Sequence, residues 1–289
     1  MSYVDAEGTS QSILSETARP PTVSKRMVAA AVAGNALEFY DFTVYAIFAV
    51  YAARAFFPSA DPIAQILASV AVFGVGFVSR PIGAVVIGRI GDVYGRKPAM
   101  LLTIALIVIG TLGITLTPSY TTIGAAAPFI VVACRLMQGF GLGGEVGPAS
   151  AFLLEAAPKG QKGLYVGWQA ASQGISSLMA GVAGLLLTTT LSAEAMQSWG
   201  WRSAFLIGLL LVPLAIILRN KMPETHGDDQ QSSSAERHIA SELADMRHVL
   251  LPGIAMLGGM TTVNYVALYM TTYAIAILKM PPHIGMLSI

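Results

Sequence analysis

Long apolar runs alternate with short polar stretches along most of this chain. Seven runs come close to or exceed the roughly 20 residues that an α-helix needs to cross a bilayer. They cover residues 27–53, 63–88, 98–117, 123–154, 164–190, 202–218 and 249–278. Residues 279–289 begin a further segment. The pattern predicts an all-α integral membrane protein with an N-terminal six-helix bundle, a seventh helix and the start of an eighth.

The polar stretches suggest where the domains begin and end. The first residues lack the apolar region of a signal peptide, so we expect a disordered cytoplasmic tail. In the one long polar loop, Ile239, Leu243 and Met246 recur at helical spacing, which indicates an amphipathic helix on the membrane surface. The predicted units are the tail (1–26), the six-helix transmembrane bundle (27–218), a cytoplasmic linker (219–248) and the incomplete start of a second bundle (249–289).

Lysine and arginine residues are concentrated in alternate loops. One set of loops holds Lys25, Arg26, Arg89, Arg96, Lys97, Lys159, Lys162, Arg219, Lys221, Arg237 and Arg247. The opposite loops hold only Arg54, Arg202 and Lys279. Because cytoplasmic loops carry the excess of positive charge, the N-terminus is predicted to be cytoplasmic.

Composition agrees with a membrane protein and excludes several other classes. Charged residues make up 11% of the chain, against about a quarter in soluble domains. The net charge of +1 and the absence of a basic patch argue against nucleic acid as a partner. A single cysteine, Cys134, excludes an intramolecular disulfide, and the four histidines lack metal-ligand spacing. A membrane enzyme would require a cluster of His, Asp or Ser at one interface, and none is present, so we predict that the protein is not an enzyme.

Five candidate ionisable residues fall inside the predicted spans: Glu38, Asp41, Arg80, Arg135 and Glu145. Each costs about 2.5–3.5 kcal/mol or more in a bilayer, so each is expected to serve a purpose. Glu38 and Asp41 share a helix face with Asn35. Two carboxylates this close are not both expected to be ionised, which suits a proton carrier. The alternative is that one acid only pairs with a neighbouring arginine.

Depth in the membrane suggests partners for these residues. At about 1.5 Å per residue, Arg80 and Glu145 lie level near the cytoplasmic side, and Arg135 lies level with Asp41 nearer the outside. The sequence therefore predicts two cross-helix pairs, Arg80 with Glu145 and Arg135 with Asp41.

Spans four and five add a second group of candidates. In span four, Gln138 adjoins glycines that recur at positions allowing close helix contact, which favours a packing seam that also has a function. In span five, Trp168, Gln169, Ser172 and Gln173 form a polar strip. Such a strip is compatible with a water-filled path or with hydrogen bonds between helices, and the sequence leaves both open.

A polar, glycine-rich stretch separates spans two and three. It reads Gly88-Arg-Ile-Gly91-Asp92-Val-Tyr-Gly95-Arg96-Lys97, and we expect it to form a short turn at one water interface. This spacing resembles the signature loop between helices 2 and 3 of the major facilitator superfamily of transporters.

Further motifs resemble the metabolite–proton symporters of that superfamily. The motifs are Asn35-Ala-Leu-Glu38-Phe-Tyr-Asp41-Phe, Arg80-Pro81-Ile82-Gly83-Ala84, Arg135-Leu-Met-Gln138-Gly139 with Gly144-Glu145, Trp199-Gly200-Trp201-Arg202 and Pro223-Glu224-Thr225. Phe56-Phe57-Pro58, Pro118-Ser119-Tyr120 and the tail of the sixth span resemble the citrate–proton symporters in particular.

The resemblance implies a proton-driven carrier of the bacterial inner membrane that needs no cofactor. It would import a small organic anion, with citrate or another di- or tricarboxylate favoured and an osmolyte or aromatic acid as the alternative. It also implies a cytoplasmic gate formed by Gly88, Gly91, Asp92, Gly95, Arg96 and Lys97, with Glu155 as a partner.

The resemblance also makes the length of the chain significant. Such carriers bind substrate between two six-helix halves, and seven spans supply only part of the second half. We therefore expect a fragment of a longer carrier, or a truncated membrane protein that does not transport unaided.

Overall fold

A computed structural model describes residues 25–158, 160–210, 212–220 and 247–288. The long helices are α1 (Lys25–Ile47), α3 (Pro62–Tyr94), α4 (Arg96–Leu116), α6 (Ala126–Ala156), α7 (Lys162–Thr190) and α11 (Arg247–Ala276). The shorter helices are α2 (Ala49–Phe56), α5 (Tyr120–Ile123), α8 (Ala193–Ala195), α9 (Trp201–Leu209), α10 (Val212–Asn220) and α12 (Pro282–Gly285). A π-helix spans Met196–Gly200 and a 3₁₀ turn spans Met286–Ser288. The all-α prediction is confirmed, since these residues contain helices and no strand.

Most of the predicted spans correspond to long apolar helices. Within the described part of the chain, α3, α4, α6, α7 and α11 are long and apolar enough to cross a membrane, and α1 with α2 makes a sixth, bent span. The predicted sixth span corresponds to α9 and α10, on either side of residue 211, which lies outside the described residues. The N-terminal tail and the predicted amphipathic helix of the linker also lie outside them.

The first span is broken at Phe48, where α1 and α2 meet at an angle of 66°. Carbonyl groups near such a break need new partners, because the bilayer core supplies no water. The Thr272 hydroxyl of α11 donates to the Ala46 carbonyl at 2.9 Å, and the Ser69 hydroxyl of α3 donates to the Ala49 carbonyl at 3.1 Å. The break is therefore held by helices from both sides.

Helices α3 and α6 approach each other through glycine. A Cβ atom on Gly139 would overlap the carbonyl oxygen of Gly76, and one on Gly143 would overlap that of Arg80. No other residue fits at these positions without separating the two helices. The packing seam predicted in span four is thus present, and it sets the distance between the two helices that carry the arginines.

The predicted turn between spans two and three is shorter than the sequence indicated. Helix α3 continues through Tyr94, and α4 begins at Arg96, so only Gly95 breaks the helix. The φ angle of Gly95 is 101°, a conformation that favours glycine. The preceding glycines stay helical because packing outweighs their low helix propensity; Gly91, for example, is buried against Ala99.

Candidate functional site

Four of the five predicted intramembrane charges line one cavity between α1, α3, α4 and α6. The cavity has a volume of about 20 Å³, and Glu38, Asp41, Arg80 and Arg135 all line it. That volume suits a single water molecule. Two carboxylates and two guanidinium groups thus line one small cavity, with formal charges that cancel.

Asp41 is the acceptor at the centre of a buried hydrogen-bond network. The Thr111 hydroxyl donates to its Oδ1 at 2.7 Å, and the Gln138 amide donates to its Oδ2 at 2.8 Å. The same amide lies 2.9 Å from the Thr111 hydroxyl. Asp41 is only 6% exposed, so these neutral donors replace the water that an ionised carboxylate would otherwise bind.

Arg135 completes this network from α6. Its Nη1 lies 3.8 Å from Asp41 Oδ2 and donates to Gln138 Oε1 at 2.7 Å. Its guanidinium carbon lies 3.6 Å from the centre of the Tyr45 ring, a cation–π contact. The predicted Arg135–Asp41 contact is present. Within the described residues, Nε and Nη2 of Arg135 are buried and make no hydrogen bond, so this guanidinium keeps two donors to spare.

The Arg80 guanidinium lies against aromatic rings, in what we call an aromatic box, whereas the sequence predicted a carboxylate partner for it. Its guanidinium carbon lies 4.0 Å from the centre of the Phe77 ring and 5.0 Å from that of Phe42. The Tyr265 hydroxyl of α11 makes a side-chain hydrogen bond with it, and Glu38 is within electrostatic range. Glu38 itself is buried, with 3% of its surface exposed. Arg80 therefore links α3 to α11 and faces the Glu38 side of the cavity.

The predicted Arg80–Glu145 pair is wrong. Glu145 is buried and accepts a hydrogen bond of 2.7 Å from Thr103 of α4, so it faces α4 and not the central cavity. Side chains on a helix point back towards its N-terminus. This brings the Arg80 guanidinium to the level of Phe77, whereas the estimate from depth used backbone positions alone.

The polar strip of span five divides between two environments. Asn35 of α1 donates to Ser172 Oγ at 2.7 Å and to the Gln169 carbonyl at 3.1 Å. The Ser176 hydroxyl donates to the Ala36 carbonyl at 2.7 Å. These bonds join α1 to α7, so this part of the strip connects two helices.

The other members of the strip lie differently. The side chain of Gln169 is buried and accepts a hydrogen bond from Ser150 of α6. Gln173 is partly exposed, and Trp168 on α7 is 50% exposed. The structure therefore does not bring Trp168 to the cavity or to the contact between α1 and α7.

The structure describes only some of the side chains of the predicted cytoplasmic gate. Asp92 is exposed on the last turn of α3, Gly88 is half-buried, and Gly91 and Gly95 are buried at the join with α4. Lys97 is partly buried on the first turn of α4. The side chains of Arg96 and Glu155 lie outside the described residues. The gating role of this cluster stays a prediction.

Two residues of the site were missed by the sequence analysis, Thr111 and Tyr265. Thr111 shares one buried face of α4 with Thr103 and Thr115, so a search for polar periodicity in apolar spans would have found it. No local signal marks Tyr265, because its role comes from the packing of α11 against α3.

Comparison with known proteins agrees with this architecture. The model of the sugar (and other) transporter family matches residues 27–247. The chain is 39% identical to the citrate–proton symporter of Salmonella typhi over 86% of this chain and 57% of that protein. It is 34% identical to the proline/betaine transporter of Escherichia coli K12 over 90% of this chain and 53% of that protein. The chain thus spans about half the length of these curated relatives.

Solved structures show the same fold. The xylose transporter XylE from E. coli, in a partially occluded inward-open conformation, matches with a TM-score of 0.69 at 18% identity. The match covers 91% of this chain and 68% of XylE. Family model, relatives and fold agree with the helical architecture described above: this chain is a multi-pass membrane protein and belongs to the sugar (and other) transporter family of the major facilitator superfamily.

Proposed function

We propose that this chain forms the N-terminal part of a proton-coupled symporter that imports a small organic anion, with citrate or another di- or tricarboxylate favoured. The observation that carries the proposal is the central cavity, where the guanidinium groups of Arg80 and Arg135 face two buried carboxylates. The citrate–proton symporter of Salmonella typhi, 39% identical, supports the same class of substrate.

The balance of charges in the cavity explains how proton binding is coupled to anion binding. With Glu38 and Asp41 ionised, they neutralise Arg80 and Arg135, and an added anion would leave the cavity with excess negative charge in a low dielectric. One proton on the acidic pair leaves a net positive charge, which a substrate carboxylate then neutralises. Nε and Nη2 of Arg135 and Nε of Arg80 make no hydrogen bond to any described residue, so they are suited to donate to that carboxylate. Anion binding and proton binding therefore favour one another.

The conformation described here is too closed to hold the substrate. A cavity of about 20 Å³ does not admit a dicarboxylate. Tyr265 of α11 covers the cavity through ring contacts with Phe42 and Phe77, at centroid distances of 5.3 and 5.2 Å. We infer that substrate enters when α11 moves away from α3, and that the substrate carboxylate replaces the Tyr265 hydroxyl at Arg80.

The remaining expectations belong to the same proposal. The proton gradient drives uptake without a cofactor, and the substrate, protons and lipid bilayer are the partners. The membrane is a bacterial inner membrane with the N-terminus cytoplasmic, as the distribution of lysine and arginine favours. The helices of a second bundle complete the substrate site.

An osmolyte carrier is the main alternative. The proline/betaine relative supports it, and aromatic faces such as those of Phe42 and Phe77 bind quaternary ammonium groups in other proteins. In this chain the Arg80 guanidinium already lies over both rings and would repel such a cation. The geometry therefore favours an anion, including an aromatic acid, over betaine.

The test is uptake of labelled citrate and labelled betaine into membrane vesicles of the native host, with and without an imposed pH gradient. Asp41→Asn removes a charge from the cavity and keeps its shape. We expect gradient-driven citrate uptake to fall at least about tenfold, equivalent to about 1.4 kcal/mol. The matched control is Asp61→Asn at the exposed N-cap of α3, which keeps its capping oxygen and should change uptake less than about twofold.

Three results would contradict the proposal. Unchanged pH dependence in Asp41→Asn would remove the proton role, and uptake of betaine without citrate would replace the substrate class. No substrate-dependent proton flux in the wild type would favour a non-transporting membrane protein.

A further inference from the structure

A second cavity lies at the end of the bundle opposite the α3–α4 connection. It has a volume of about 310 Å³, within the range of small-molecule sites, and is bounded by α2, the C-terminal end of α7, the π-helix and the segment after α11. Its lining includes Arg54, Tyr51, Thr188, Gln197 and Lys279. None of these residues lines the central cavity, so the two spaces are separate.

The charge of this cavity is one-sided. Arg54 lies on α2 and Lys279 in the segment between α11 and α12. Among the described residues these two are the charged ones that line the cavity, and no acidic side chain lines it. Glu194, next to the lining residue Ala193, is exposed. A single exposed cation binds an anion weakly. Two cations in a concave site with apolar walls concentrate the field and attract anions more strongly.

The backbone supports Lys279 at this position. Its φ of 55° makes it the one non-glycine residue with positive φ in the described part of the chain. Glycine or asparagine normally occupies such a position after a helix. The conformation is held by hydrogen bonds from the Leu278 and Met280 amides back to the Tyr273 and Ala274 carbonyls, at 3.2 and 3.0 Å. A lysine kept in an unfavourable conformation beside a cavity points to a function for its side chain.

We propose that this cavity, which we call the Arg54–Lys279 vestibule, binds a small carboxylate ion as a second site, before the ion reaches the central cavity. The identity of the carboxylate rests on the function proposed above, whereas the site rests on its own lining. Its position opposite the predicted cytoplasmic gate makes it an entry site from outside the cell.

The experiment measures how fast an amine-acylating reagent modifies Lys279, read by peptide mass spectrometry on the native protein in phosphatidylcholine nanodiscs. Citrate at about four times its dissociation constant should slow the reaction about fivefold, because a one-site ligand leaves a free fraction of 1/(1 + [L]/Kd). Sodium chloride of equal ionic strength should slow it much less. Lys162, exposed at the opposite end of the protein, is the internal control and should react at an unchanged rate.

Variants assign the protection to the vestibule. Arg54→Gln should weaken citrate protection of Lys279 about fivefold, and Arg54→Lys should restore most of it. Glu194→Gln, a neutralising change near the cavity but outside its lining, should leave the protection in place. Arg80→Gln disables the central cavity, and citrate should still protect Lys279 in this variant. Loss of protection in Arg80→Gln would overturn the proposal, because the protection would then be transmitted from the central cavity.

The remaining outcomes separate this proposal from the proposed function. Proton-driven citrate uptake without protection of Lys279 would overturn the vestibule and leave the symporter intact. Protection without proton-driven uptake would support the vestibule and count against the symporter. In a further outcome, Lys279 is protected in phosphatidylglycerol nanodiscs without citrate, and citrate does not protect it in phosphatidylcholine nanodiscs. That result would assign the cavity to a lipid headgroup and overturn the proposal.

Discussion

Helix α1 carries polar side chains on two faces that meet different neighbours, so the prediction that Asn35 shares the helix face of Asp41 is wrong. On one face, Asp41 meets Thr111, Gln138 and Arg135 from α4 and α6. On the other, Asn35 meets Ser172 of α7. Both clusters are buried, and both join helices by hydrogen bonds.

The difference between the two clusters lies in charge and in unused donors. The contact of Asn35 with α7, which we call the Asn35 seam, is neutral. Both amide hydrogens of Asn35 are donated to α7, and among the described residues its Oδ1 has no hydrogen-bond partner. The Asp41 cavity holds formal charges, and Nε and Nη2 of Arg135 have no hydrogen-bond partner in the described part of the chain. A neutral seam requires only good hydrogen-bond geometry. Charges inside a membrane cost free energy, so they are expected to serve a function. The comparison indicates that the seam holds the fold together, and it favours the cavity as the place where the proposed transport occurs.

The largest expected effect comes from removing one member of the Asp41–Arg135 charge pair in the cavity. Arg135→Gln leaves Asp41 as a buried charge without its counterion, and we expect it to lower the free energy of unfolding by about 3–5 kcal/mol. The double variant Asp41→Asn with Arg135→Gln should recover most of this loss. Unfolding in mild detergent measures the effect, with Arg89→Gln on the exposed side of α3 as control. Equal damage in single and double variants would show that the pair is not coupled.

The next effect concerns the packing that holds the cavity closed. Gly139→Ala places a Cβ against the Gly76 carbonyl and should destabilise the protein by about 1–3 kcal/mol. Gly174→Ala on α7 is the matched control, because no atom of the described residues lies within 4 Å of its added Cβ. The same unfolding assay measures both. A tolerated Gly139→Ala would mean that α3 and α6 separate easily.

A smaller effect is expected from removing the Tyr265 hydroxyl, and it tests whether the cavity binds the substrate. Tyr265→Phe keeps the aromatic lid and removes the hydroxyl that competes for Arg80. A net hydrogen bond of about 0.5–1.5 kcal/mol predicts about twofold to twelvefold tighter binding of citrate by isothermal calorimetry. Tyr273→Phe, partly exposed on the same helix, should leave the affinity unchanged. Weaker binding in Tyr265→Phe would mean that the hydroxyl itself contacts substrate.

The smallest effect is expected in the neutral seam. Ser172→Ala removes one hydrogen bond between α1 and α7, and such bonds contribute on average about 0.6 kcal/mol in membrane proteins. Stability should fall by that amount, and the pH dependence of uptake should not change. Exposed Ser198→Ala serves as control. A shifted pH dependence in Ser172→Ala would place the seam on the proton path and remove the distinction between the two clusters.

Much of this fold follows from local sequence. Apolar runs set the helices, because a bilayer accepts only segments whose backbone groups are satisfied internally. Charge is so rare inside these runs that composition and position are enough to single out Glu38, Asp41, Arg80 and Arg135. The glycines of span four likewise indicate a close helix contact, which the Gly139–Gly76 approach confirms.

Partnerships across helices follow less reliably. Depth alone matches Arg135 with Asp41, and the two residues do lie together. The same reasoning pairs Arg80 with Glu145, which is wrong because side-chain direction and helix rotation, and not depth alone, decide which groups meet. The break at Gly95 is also predicted too broadly, since several glycines occur there and only one needs a positive φ.

The sequence by itself determined that this protein crosses a membrane several times and which charges it buries, because hydrophobicity and charge are properties of single residues and short segments. Only the tertiary structure decided that Arg80 lies in an aromatic box with Tyr265, far away in the chain, and that Glu145 turns to Thr103. It also brought Arg54 and Lys279 to one cavity. Such juxtapositions depend on how helices rotate and pack, and no local pattern in the chain encodes them.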